Sequence, residues 1–137
     1  MEYPLFKLFL ILFAFLSFSN FANETGTLTV DRVITDKLAL AFPNDQNIKA
    51  KSSDFMLLNC VTMSNELGER WAVVTIINNA NGGRMLEHEH LMALFADGTR
   101  TTPSTFKVSF EGQEIQSMTI SFGENKFPIL SITTESK

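Results

Sequence analysis

Apolar and polar residues alternate along much of this chain with the period of two that sends successive side chains to opposite faces of a β-strand. The cleanest stretch is 117–122, where Met118, Ile120 and Phe122 share one face against Ser117, Thr119 and Ser121 on the other. Phe106, Val108 and Phe110 alternate with Lys107 and Ser109 in the same way, which predicts a half-buried strand. Residues 27–34, 38–42 and 127–133 read as further strands. Two segments, 55–63 and 70–78, are apolar on both faces. In the second, Trp71, Val73 and Ile77 point one way and Ala72, Val74 and Ile76 the other, a pattern that belongs in the middle of a sheet or sandwich. Residues 87–95 run from charged to fully apolar, predicting a strand that starts at a rim and ends in the core.

Turn chemistry separates these runs. Pro43-Asn44-Asp45, the Asn- and Gly-rich segment 78–83, Asp97-Gly98, Glu111-Gly112 and Gly123-Glu124-Asn125 each interrupt the alternation, Asn and Gly because they tolerate positive φ. Apolar residues at helical spacing are not sustained anywhere after residue 22. The expectation is an all-β chain of seven to eight short strands in an antiparallel β-sandwich, with a small closed barrel as the alternative.

The N-terminus has a different pattern. Residues 8–16 (LFLILFAFL) form an unbroken apolar run, too short for the ~20 residues that span a bilayer and of the ~7–15 expected of a secretory h-region. With Lys7 before it and small residues around Ala22, it predicts a signal peptide over 1–22 and a mature domain over 23–137, periplasmic or secreted, with no stable membrane anchor after cleavage. That remainder is the size of one domain. Losing Glu2 and Lys7 together leaves the net charge at −4, which disfavours nucleic acid and anionic membranes as partners. Cys60 is the single cysteine, so core burial rather than an internal disulfide must stabilise the fold, and alternation places Met56, Leu58 and Cys60 on one strand face.

The order Cys60 then Trp71 on successive strands, followed by Asn/Gly, Asp-Gly and Glu-Gly turns up to Phe122, resembles the immunoglobulin-like domains of small exported bacterial proteins of unassigned role. The resemblance implies an Ig-like sandwich with the Trp71 indole packed beside the Cys60 sulfur.

Candidate chemistry is concentrated in one place. His88, His90 and Met92 would share a face on a strand, with Met85 nearby, and imidazoles beside a thioether suit copper. His90-Leu91-Met92 also resembles the His-x-Met end of periplasmic copper chaperones, which implies a copper-binding carrier. The competing reading makes both histidines solvated residues at a strand start and Met92 a core filler. No Gly-x-Ser-x-Gly elbow, phosphate loop or cysteine pair occurs, so no catalytic residues and no cofactor are expected. The preferred expectation is a non-catalytic module that binds a protein partner through loops 64–69, 79–83 and 97–104, or through edge strands.

Overall fold

A computed structural model describes residues 24–31, 42 and 48–137. The expected leader (1–22), the mature start at Asn23 and most of the 38–42 strand lie outside the described residues. What is described is all-β and mainly antiparallel, with 3-10 turns at Glu24–Gly26 and His88–His90. Three ten-residue strands dominate: β3 (Phe55–Ser64), β4 (Glu69–Asn78) and β9 (Ile115–Glu124). Shorter strands are β1 (Thr29–Val30), β2 (Ser52–Ser53), β5 (Arg84–Glu87), β6 (Met92–Phe95), β7 (Arg100–Thr101), β8 (Lys107–Phe110), β10 (Ile129–Thr133) and β11 (Glu135–Ser136).

Strand β4 sits between β3 and β9 in a sheet of order β1-β3-β4-β9, all pairs antiparallel. A second sheet runs β10-β6-β7, β5 pairs with β8, and β11 lies parallel to β2. One face of the four-stranded sheet packs into the buried core. Ala72, Val74 and Ile76 on β4 are 0 % exposed, and they cluster with Phe55, Ile120 and Phe122 of neighbouring strands. The same cluster takes in Leu86 of β5, Ala93 and Phe95 of β6, Phe110 of β8, and Ile129 and Ile132 of β10. The alternation of β9 is as expected from its sequence, with Ile120 and Phe122 buried and Ser117 and Thr119 exposed.

Three local departures have physical causes. Segment 87–95 is two strands in different sheets, because residues 88–90 form a 3-10 turn that redirects the chain before β6. In β3, a bulge between Leu57 and Asn59 inserts one extra residue and breaks the alternation: Met56 and Leu58 are exposed while Cys60 packs against the core. Trp71 pairs with Met63 and Ser121, whereas Cys60 pairs with the fully buried Val74, so indole and sulfur belong to opposite faces of the sheet and the packing implied by the Ig-like resemblance is not formed.

Asn78, fully buried at the end of β4, organises one end of the sheet. Its Nδ2 donates to the carbonyls of Gly82 at 3.0 Å and Glu111 at 2.8 Å, and its Oδ1 accepts the Ala80 N–H at 3.0 Å. The two loops it joins touch closely: a Cβ on Gly112 would lie 2.1 Å from the Asn81 carbonyl oxygen. The next residue, Gln113, takes the left-handed φ of 63° and donates from its backbone to Ala80 and from its side chain to Asn79. Residues 78–83 turn without any positive φ; the left-handed glycines are Gly68, Gly98 and Gly123 among the described residues. Asn78→Ala strips a hydrogen-bond partner from three backbone groups, and the expected loss is about 2–3 kcal/mol in urea unfolding, with Gly112→Ala at least as damaging. Wild-type midpoints for both variants would refute this assignment.

Candidate functional site

The histidine cluster forms on the turn between β5 and β6. His90 is buried, its ring centroid 5.7 Å from that of Phe55, which itself meets Phe110 edge-on at 5.1 Å. Its Nδ1 accepts the Glu87 backbone N–H at 3.0 Å, so in the neutral ring the proton resides on Nε2. His88 is half-buried, and its Nδ1 is enclosed with no hydrogen-bond partner. Met92 is buried at the start of β6, and exposed Met85 accepts the Ser109 hydroxyl on its sulfur at 3.9 Å. The strand that would have aligned His88, His90 and Met92 is therefore replaced by a 3-10 turn, with one ring nitrogen of His90 already engaged. Among the described residues no group of three or more His, Cys, Asp or Glu side chains is placed to hold a metal ion.

Charged side chains ring this turn. Lys51 bridges Glu89 at 3.0 Å and Glu87 at 3.8 Å, while Lys107 meets Glu87 at 2.8 Å. The Lys107 hydrogen bond holds the Glu87 carboxyl below its ordinary range, the Lys51 hydrogen bond does the same for Glu89, and Glu89 in turn raises Lys51. These pairs are largely solvated and fix the turn more than they stabilise the fold.

The three expected contact loops do not form one surface. Loops 64–69 and 79–83 lie at opposite ends of β4, a ten-residue strand about 34 Å long. Each is occupied internally. Asn65 Oδ1 accepts the Glu69 N–H at 3.0 Å and Gly68 receives the Asn125 N–H at 2.9 Å; at the far end the 79–83 loop is bonded to 111–114. In the third loop Asp97 Oδ1 accepts both the backbone N–H and the hydroxyl of Thr99, which keeps its carboxyl below the usual range.

Among the described residues, the other face of the four-stranded sheet lies outside the buried core cluster. Cross-strand pairing sets its side chains in rows: Met63–Trp71–Ser121, Val61–Val73–Thr119, Asn59–Thr75–Ser117 and Met56–Ile77–Ile115. None of these side chains is ionisable. Val30 of β1 extends the face beside Met63 and is 64 % exposed, with Ile115 at 56 % and Met56 at 45 %. Trp71, Val73 and Ile77 are half-buried. Among its polar members, the Thr75 and Ser117 hydroxyls hydrogen-bond each other at 2.8 Å and Ser121 Oγ accepts the Gly123 N–H at 3.1 Å. Covering these rows desolvates no charged side chain.

Sequence patterning identified 70–78 as apolar on both sides but placed both sides in the interior. The missing information was strand order: once β9 pairs with β4, Ser117, Thr119 and Ser121 fall beside Trp71, Val73 and Thr75, and that face cannot be core.

Comparison with family models, with curated proteins and with solved structures finds no match for this chain.

Burial lowers the pKa of His90 below 6.5, with Lys51 lowering it further against the opposing pull of Glu87 and Glu89. The unfolded chain then takes up this proton first as pH falls, so stability is complete above 6.5 and declines below it until the folded pKa is reached. Unfolding curves at pH 7.5 and 5.5, above the carboxylate range, are expected to show a loss at the lower pH that His90→Gln abolishes. An equal loss in His90→Gln would assign the pH dependence elsewhere.

Proposed function

We propose that this chain is an exported, non-catalytic interaction module of the bacterial periplasm or cell surface. In this reading residues 23–137 form a single β-sandwich whose open sheet face docks a protein. The observation that carries the reading is the uncharged apolar face formed by β3, β4 and β9, centred on Trp71, Val73 and Ile77. Its apolar side chains flank a polar row, Asn59–Thr75–Ser117, and clustered exposed apolar side chains of this kind mark surfaces that are covered in use. The sandwich is supported by one continuous core cluster that draws on the four-stranded sheet and on β5, β6, β8 and β10. Export is supported by the apolar run over 8–16 and the small residues that follow it.

A photoreactive amino acid placed at Thr75, in the middle of the open face, tests this in the producing cell. The expected result is a discrete protein adduct from Thr75 and none from Gln113, an exposed position on the end loop. Absence of any adduct at Thr75, whether to this chain or to another protein, counts against the docking reading. Export is checked by mass spectrometry of the accumulated protein, with an N-terminus at Asn23 expected and retention of residues 1–22 contradicting it.

A further inference from the structure

We infer that the occupant of the open face is a second copy of this chain, stacked face to face about a two-fold axis that runs along β4. The inference rests on the docking reading above and adds the identity of the partner.

Charge comes first. Each chain carries a net −4, so two copies repel through their ionisable surfaces and can approach closely only where charge is absent. The rows across β3, β4 and β9 supply such a region, and a second copy necessarily presents the same one. A like-for-like contact buries no unpaired hydroxyl at Thr75 or Ser117, and the carboxylates in strand register with these rows, Glu69 and its cross-strand partner Glu124, lie beyond Trp71 at one end of the face.

Relief across the sheet is the second argument. The β3 side stands tall at Val61 and Met63, whereas the β9 side is low over Thr119 and Ser121; the Met56–Ile77–Ile115 row is tall across all three strands. An axis along β4 lays β3 of one copy over β9 of the other, so Met63 and Val61 lie over Ser121 and Thr119 on both sides while Met56 meets Ile115 in an apolar contact. Val73, near the middle of β4, then faces its own counterpart, with Val61 over Thr119 on either flank. An axis across the strands would instead stack tall on tall and leave a gap over the serines. Aligned sheets pack about 10 Å apart with a rotation of roughly 30°, which this register accommodates.

Area sets the strength. Three ten-residue strands make a rectangle of roughly 34 by 14 Å, and the two faces together bury about 1,000 Å², near the lower bound for a specific interface. The dimer is therefore a reversible one, populated with concentration rather than permanent.

Sedimentation velocity of the purified chain over a concentration series tests it, with three preparations: wild type, Val73→Glu and Val73→Lys. Circular dichroism of each variant confirms that the sheet is retained, since position 73 lies off the core. Wild type is expected to pass from monomer to dimer as concentration rises through the micromolar range. Either variant alone, bringing like charges together on the axis, should dimerise about tenfold or more weakly, and an equimolar mixture of the two should recover the dimer. Wild type that stays monomeric at all concentrations, variants that dimerise like wild type, or a mixture that remains monomeric would each overturn the inference. If wild type is monomeric while the Thr75 probe yields an adduct with a different protein, the docking reading stands and the second copy does not. If neither a dimer nor an adduct forms, both fall.

Discussion

The structure depends on sealing one face of β4. A ten-residue strand bonded on both edges must send every second side chain to the same side, and Ala72, Val74, Ile76 and Asn78 take the dry side with no exposure at all. Full burial of side chains such as Val74 and Ile76 is worth about 1.5–3 kcal/mol each, well above the ~0–1 kcal/mol of a solvated ion pair such as Lys51–Glu89. The rest of the molecule follows from supplying a cover for that face, and β5, β6, β8 and β10 provide it. The same alternation that fills the core leaves Trp71, Val73, Thr75 and Ile77 on the far side, so the open face is a direct consequence of how the core is built.

The ends of β4 are secured by different means. At one end Asn78 acts as a buried polar joint between two loops, its amide fully used, and Gly112 is required there because only a residue without Cβ lets the backbones approach. At the other end Asn65 closes the β3–β4 turn, Gly68 supplies a left-handed φ of 84°, and Arg70 reaches the carbonyl of Asn125 at 3.0 Å. Loops that are this heavily bonded internally are poor adaptable contacts. The proposed docking is therefore placed on the sheet face rather than on the loops or edge strands that the sequence suggested.

Much of the fold was legible because periodicity reports burial directly wherever one face is polar. Strand β9 shows this best, with serine and threonine marking the open side. Legibility failed where periodicity lacked that contrast. Strand β4 is apolar on both sides, and nothing local distinguishes the face that β6 and β10 help cover from the face outside the core cluster. It failed too where one residue changed the phase: the extra residue in β3 and the 3-10 turn over His88–His90 both reassign which side chains share a face, and each depends on tertiary partners, Ile76 and Thr75 across the sheet in one case and Phe55 against His90 in the other. The candidate metal set was an inference from strand geometry, and its alignment disappeared with the strand.

The central claim, that β4 has one sealed and one open face, is tested most directly by thiol accessibility. Single cysteines placed in turn at positions 71 to 77 in a Cys60→Ala background, labelled with a water-soluble maleimide in dilute native protein, should react with a period of two. Positions 71, 73, 75 and 77 are predicted to label rapidly and 72, 74 and 76 only on unfolding. Uniform protection along the strand, or rapid labelling without alternation, would contradict the account.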